Sequence, residues 1–284
     1  MAARPMLKIA LMVFSAVTFV VLGDAAGKTL TSGGVNPLTV AWSRFLIAAV
    51  LILPFSGIRL SELRAFSDWR VILRGFLITG GISSMLTALK TEPIANVFGA
   101  FFIGPVVSYL LAIVFLGERS SWLRTVLLAI GFVGVMLVVK PGFGVSVGIG
   151  FALLGGVFYG GYLAITKLVV SSYRPRFLLL SQLIVGTCIL TPVGISYGIP
   201  ELSLGTSLLF LASACASAAG NYLLVISNRI ADASLIAPLV YSQLISATVV
   251  GVLIFNDWPD LYSLLGLSLI VLSGFGSIFV VTRK

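Results

Sequence analysis

The second half of this 284-residue chain repeats the first at a shift of 138 to 139 residues, although few identities survive. Lys28 corresponds to Lys167, Pro37 to Pro175, Arg44 to Gln182, Pro54 to Pro192, Lys90 to Arg229 and Glu118 to Asp257. Five apolar segments therefore recur as five more. A unit with an odd number of membrane spans leaves its successor upside down, so ten crossings in this order make an inverted repeat. We expect an all-α integral membrane fold of ten helices, with the first unit at 1–140 and the second at 141–284.

Composition excludes the water-soluble alternatives. The chain is 59% hydrophobic and 10% charged, with a mean hydropathy of +1.15, which leaves too little polar surface to cover a core of that size. Apolar runs of about 20 residues match a hydrocarbon layer of about 30 Å at 1.5 Å per helical residue. Barrel strands would alternate apolar and polar residues, whereas Val106 to Leu116 and Val126 to Val139 are apolar on every side. The expected spans are 7–30, 38–57, 71–89, 94–116, 121–139, 147–169, 177–198, 206–227, 234–255 and 261–281.

Charge placement then sets orientation. The net charge of +9 is not a nucleic-acid signature, because the cations alternate by loop. Arg4, Lys8, Arg59, Arg64, Arg70, Arg74, Arg119, Arg124, Lys167, Arg174, Arg176, Arg229, Arg283 and Lys284 fall on one side of the ten-span topology. Lys28, Lys90 and Lys140 fall on the other, and Arg44 lies within a span. The positive-inside rule therefore puts both termini in the cytoplasm of a bacterial inner membrane. Cys188 and Cys215 each lie in an apolar span and read as small buried hydrophobes, not a disulfide.

Turn residues support the segmentation: Ser32-Gly33-Gly34 and Asn36-Pro37 after the first span, Lys140-Pro141-Gly142 between the halves, Trp258-Pro259-Asp260 before the last. The stretch from Ile58 to Arg70 is expected to lie at the interface with Trp69 near the headgroups. Glycines inside the spans read first as contacts that let helix backbones approach, and second as hinges.

The chain has no histidine and no closely spaced intramembrane acid pair, so the usual hydrolytic and metal constellations are missing; we expect no enzyme, no cofactor and no metal. The ionisable residues at membrane depth need a reason. Asp24 and Lys28, one helical turn apart, are expected to pair with each other. Arg44 either staples two helices through carbonyls or Asp24, or attracts a substrate carboxylate. Polar stripes run along the third span (Thr79, Ser83, Thr87) and along its counterpart, the eighth (Ser213, Ser217, Asn221). Tyr159, Tyr222 and Tyr241 stand away from the span ends, Trp42 nearer to one, and Pro238 is expected to loosen the ninth helix near Tyr241. The candidate substrate-binding set is thus Tyr241, Asn221, Tyr222, Ser83, Thr79, Thr87, Tyr159, Ser217, Trp42 and Arg44.

Asn36-Pro37, Trp42-Ser43-Arg44-Phe45, the stretch from Ala95 to Pro105 and Phe115-Leu116-Gly117-Glu118-Arg119-Ser120 resemble the EamA-type repeat of the drug/metabolite transporter superfamily. The second copy departs from it at Asn256-Asp257 and Gln182. In overall run the chain is most similar to YddG-type amino-acid exporters. The resemblance implies a central cavity between the halves and export of neutral or aromatic amino acids and related metabolites by alternating access. The competing expectations are a carrier of sugar nucleotides or phosphorylated metabolites, and a lipid flippase. Its partners would be the small substrate and the bilayer, not nucleic acid; the sequence sets no oligomeric state.

Overall fold

In hydrocarbon a backbone finds no partner but itself, so each apolar run closes its own hydrogen bonds as a helix. The computed structural model describes residues 3–59, 62, 64–117, 122–140, 145–198, 200, 201, 203–230 and 239–282. Regular structure among them is entirely helical. The helices are α1 (Ala3–Ser32), α2 (Pro37–Ser56), α3 (Trp69–Leu89), α4 (Ile94–Phe101), α5 (Ile103–Leu116) and α6 (Trp122–Val139) in the first half. In the second half they are α7 (Val147–Val169), α8 (Pro175–Ser196), α9 (Leu204–Ile230), α10 (Gln243–Phe255) and α11 (Leu261–Thr282). Seven segments, α4 and α5 counting as one, are long and apolar enough to cross a membrane, and three shorter apolar helices bring the spans to ten. The expected Pro238 kink, the Glu118-Arg119-Ser120 turn, the Pro141-Gly142 joint, Arg283 and Lys284 lie outside the described residues.

The helix ends show the repeat in local chemistry. Asn36 accepts the Leu38 N–H (2.9 Å) and Pro37 opens α2, as Pro175 opens α8, since proline has no N–H to waste in a first turn. Gly117 after α5 and its counterpart Asn256 after α10 both take left-handed backbone, with φ 64° and 55°. Asparagine is the residue that best replaces glycine there.

The fourth span is broken, and the break has a cause. Pro105 offers no N–H to the Phe101 carbonyl four residues back, and the chain turns at Phe102 between α4 and α5. Its repeat counterpart is Tyr241, which with Ser242 forms the turn before α10. The rings of Phe102 and Tyr241 meet at 4.9 Å between centroids, so the two interrupted spans touch at their matching points.

The halves interleave instead of standing side by side. The most extensive contacts pair α1 with α9, α3 with α7, α6 with α11 and α2 with α8, each joining one repeat to the other. Small residues make the close approaches. A Cβ on Gly160 would sit 2.5 Å from the Gly104 carbonyl oxygen, and one on Gly134 would sit 2.6 Å from that of Gly266. In lipid such backbone proximity supplies the association that hydrophobicity cannot.

Two expectations about depth change. Cys188 and Cys215 are exposed on the outside of the bundle, not buried: their faces of α8 and α9 point away from neighbouring helices, where a small apolar side chain suits lipid as well as core. Arg74, counted with the loop cations, lies inside α3 and is fully buried, because side chains of α7 and α8 reach it before any water does.

Candidate functional site

With ten spans both termini lie on one face of the bundle, opposite the far face. Between the helices is an open cleft of about 550 Å³, its mouth included. Its polar side is Asp24 of α1, Arg44 of α2, Ser217 and Asn221 of α9 and Gln243 of α10. Its aromatic wall is Phe98 and Phe101 of α4 with Tyr159 of α7, the last two rings 5.0 Å apart. The spans that supply it are the first, second, third, fourth, sixth, eighth and ninth.

Arg44 is 3% exposed and Asp24 4% exposed. The guanidinium donates through Nη1 to Asp24 Oδ1 (2.6 Å), through Nη2 to the Gly23 carbonyl (2.9 Å) and through Nη2 and Nε to Ser213 Oγ (2.9 and 3.2 Å). Ser213 in turn donates to the Gly23 carbonyl (2.9 Å). One arginine thus joins α1, α2 and α9, and the buried charges cancel as a pair, which is what their depth demands. The expected Asp24–Lys28 pair does not form. Lys28, a turn nearer the far face, donates instead to Asp257 Oδ2 and to the Glu92 carbonyl, each at 2.8 Å, and lies over the Phe255 ring at 4.9 Å. It staples α1 to the far-face ends of both interrupted spans. A Lys140–Asp260 ion pair and a Ser146–Glu92 hydrogen bond (2.6 Å) add to that closure. From there the lining runs toward the termini's face as far as Ile78 and Leu224.

The repeat produces a second polar knot. Of Asp24, Arg44 and Ser213, the last two correspond to Gln182 and Arg74, which meet through Tyr162, the neighbour of Asp24's counterpart Leu163. Arg74 donates to Tyr162 Oη (2.8 Å), Thr166 Oγ1 (2.9 Å) and the Leu178 carbonyl (2.7 Å), and Tyr162 passes a hydrogen bond to Gln182 Oε1 (3.1 Å). Its guanidinium also faces the Tyr162 ring at 4.8 Å. Among the described residues no carboxylate pairs with Arg74. The arginine has moved to a different member of the triad, so one knot is neutral and the other keeps a charge.

Of the expected substrate-binding residues, Arg44, Tyr159, Ser217 and Asn221 line the cleft. The others do not. Thr79 donates to the Gly75 carbonyl (2.7 Å) and Thr87 to that of Ser83 (2.8 Å), each within its own helix, as mid-helix hydroxyls commonly do. Ser83 Oγ is buried with no hydrogen-bond partner among the described residues. Trp42 donates to Thr191 Oγ1 (3.1 Å) and ties α2 to α8. Tyr222 packs on the apolar core. Tyr241 fills the junction with Phe102, against Gly274, because the break that loosens its helix also seats its ring on the matching break. Asp24, Gln243, Phe98 and Phe101 were missed. For Asp24 and Gln243 the available signal was their polar character at mid-span depth.

Several polar atoms of the cleft have no hydrogen-bond partner among the described residues: Asp24 Oδ2, Asn221 Oδ1, Tyr159 Oη, Ser217 Oγ and the Gln243 amide. Asn221 spends its Nδ2 on the Ser217 carbonyl (2.8 Å). Gln243 is only 7% exposed and lines the cleft, where its amide is open to a ligand.

A model of the EamA-like transporter family matches residues 7–140 and again 146–279. An S-adenosylmethionine uptake transporter of Rickettsia prowazekii (strain Madrid E) is 27% identical over 252 residues, 88% of this chain and 85% of that protein. A riboflavin transporter of Rhizobium johnstonii is 28% identical over 238 residues, 82% of this chain and 78% of its own length. A further riboflavin transporter, from Vibrio cholerae, is 26% identical over 277 residues, covering 92% of this chain and 89% of that one. A solved crystal structure with 17% identity shares the fold at a TM-score of 0.69, over 97% of this chain and 98% of that chain.

Proposed function

Because this chain belongs to the EamA-like transporter family and is a multi-pass membrane transporter, not an enzyme, we propose that it carries a small zwitterionic metabolite with an amino-acid head group and a flat ring. The cleft is the proposed substrate site. The single observation that supports this is the placement of a neutral Asp24–Arg44 pair and an aromatic wall around one cleft. A zwitterion can lie antiparallel to such a pair, its ammonium on Asp24 Oδ2 and Asn221 Oδ1, its carboxylate on the Gln243 amide and the unused Nη1 hydrogen of Arg44, without adding net charge to a dry site. Phe98, Phe101 and Tyr159 would take the ring. Arg44, Tyr159, Ser217 and Asn221 keep their candidate roles; Asp24 and Gln243 join them.

Export of neutral or aromatic amino acids fits this chemistry. S-adenosylmethionine, the substrate named for a relative, shares the amino-acid head and a flat purine but adds a positive charge on sulfur that the Asp24–Arg44 pair does not match. A sugar nucleotide or phosphorylated metabolite fits less well, since Arg44 is the cation that lines the cleft and its charge is already matched. Alternating access would have the helices around the cleft, drawn from both interleaved repeats, shift against one another. The loop cations favour a cytoplasmic termini's face in a bacterial inner membrane, and the Lys28 staple would then make the present arrangement closed to the outside.

Purified protein in liposomes, given labelled phenylalanine, tryptophan, S-adenosylmethionine and riboflavin with and without a pH gradient, tests the reading. Saturable uptake of an amino-acid-headed compound, competed by the others of that class, is expected. Uptake of riboflavin alone would overturn it.

A further inference from the structure

The link between α2 and α3 lies on the termini's face, and it has a small core of its own. Ile58, Ala65 and Phe66 pack against Val71, Val169, Phe177 and Leu178, with the Phe66 ring edge-on to Phe177 at 5.4 Å. Arg174, just before α8, ties the link down through Glu62 (2.6 and 2.7 Å) and the Gly57 carbonyl (2.9 Å). Arg70 holds Asp68 (2.8 Å), which also accepts the Tyr173 hydroxyl (2.9 Å). A connection pinned in this way is a fixed shelf at the level where the spans end.

The charges of the shelf do not balance. Residues 57–70 and 171–176 carry five arginines and two carboxylates, and both carboxylates are already taken by Arg70 and Arg174. Arg59, Arg64 and Arg176 remain, all exposed, and none of them forms an ion pair among the described residues. Arg176 makes one long contact, with the Phe55 carbonyl at the end of α2 (3.5 Å). The membrane side of the shelf is apolar. Trp69, Ile72 and Phe76 are exposed and, spaced by three and then four residues, share one face of α3 that runs from its first residue into the hydrocarbon layer. Phe55 is exposed at the same level.

Unmatched guanidinium groups favour an anion whose oxygens fit their planar forks, phosphate above all. The exposed strip beneath favours hydrocarbon. A phosphodiester carrying acyl chains supplies both, whereas free phosphate or an acidic peptide supplies only the first. We infer that Arg59, Arg64 and Arg176 form a headgroup site for an anionic phospholipid, whose chains lie along Trp69, Ile72 and Phe76. Its occupation holds the end of α2, in the first repeat, to the start of α8, in the second. A phospholipid whose headgroup carries its own cation offers these arginines no net charge and binds less tightly.

The test follows the unfolding midpoint of the full chain in neutral detergent, read by tryptophan fluorescence, as phosphatidylglycerol or phosphatidylcholine is added. Phosphatidylglycerol should raise the midpoint saturably and phosphatidylcholine should not. Arg59→Gln, Arg64→Gln and Arg176→Gln should each raise the half-saturating phosphatidylglycerol concentration roughly fivefold, the loss of one arginine's attraction to anionic headgroups, and the triple variant roughly a hundredfold. Midpoints without lipid read any structural part of the Arg176 contact separately. Lys8→Gln removes an exposed cation of α1 toward the same face and should leave the half-saturation unchanged. No saturable rise in the unaltered protein, or an unshifted triple variant, overturns the site. So does an equal loss in Lys8→Gln, because the attraction would then belong to the whole face. Protection by inorganic phosphate as strong as that by phosphatidylglycerol overturns the phospholipid as the occupant.

Discussion

Replacing Arg44 with methionine removes one guanidinium and four hydrogen bonds, but the losses are unequal. The Gly23 carbonyl keeps the Ser213 hydroxyl at 2.9 Å, and Ser213 keeps an acceptor. Asp24, at 4% exposure, is left as an uncompensated buried charge. Breaking a buried pair on one side costs about 3–5 kcal/mol, which is a factor of more than about 100 in the folded-to-unfolded ratio. Converting Asp24 to asparagine in the same protein should restore most of that, since the charge was the expense. Arg74→Met supplies the control. Its removal orphans no carboxylate, Leu178 keeps the Ser181 hydroxyl on its carbonyl (3.1 Å) and Tyr162 keeps Gln182, so roughly 1–2 kcal/mol should be lost. Denaturant titration of the four proteins in one detergent, followed by tryptophan fluorescence, gives the midpoints. Equal losses for Arg44→Met and Arg74→Met, or no rescue by Asp24→Asn, would refute the claim that charge compensation is what Arg44 contributes.

Lys28→Met should loosen the far-face closure: with Cys188 and Cys215 replaced by alanine, a Ser217→Cys thiol should react several-fold faster with an impermeant maleimide added at the far face, and an unchanged rate would count against the staple. Gly134→Ala should destabilise the α6–α11 contact by about 1–3 kcal/mol, since its Cβ meets backbone at 2.6 Å; Gly150→Ala, with nothing within 4 Å, should stabilise by about 0.5–1 kcal/mol in the same titration. At the termini's face the Arg70 hydrogen bonds, helped by the Tyr173 hydroxyl, hold Asp68 down to about 2 from its ordinary 3.8. A depressed carboxylate stabilises the fold above its unfolded value and loses that contribution as pH falls, so the unfolding midpoint should drop between about pH 4 and pH 2. In Asp68→Asn the drop over that window should be smaller.

Membrane insertion, ten crossings and the inverted repeat were legible because hydrocarbon leaves the backbone a single solution and because the apolar runs have the length that solution needs. Helix ends were legible too, since Asn36-Pro37, Gly117 and Asn256 act within a few residues of themselves. Even the depth of Arg44 followed from counting along its span. That its guanidinium holds Asp24 and a backbone carbonyl was among the sequence expectations; the Ser213 contact was not, because that residue comes from the other repeat. Distance along the chain also hid the fate of Lys28, whose partners Glu92 and Asp257 belong to two further spans. Candidate cavity residues chosen for polarity divided by which neighbour arrived first: Thr79 and Thr87 found their own helix carbonyls, Tyr241 found Phe102, and Asn221, Ser217 and Tyr159 were left facing the cleft. Periodicity and caps are local and survive in one dimension; the pairing of buried charges is decided by which helices interleave, and that information exists only once the two halves have packed through each other.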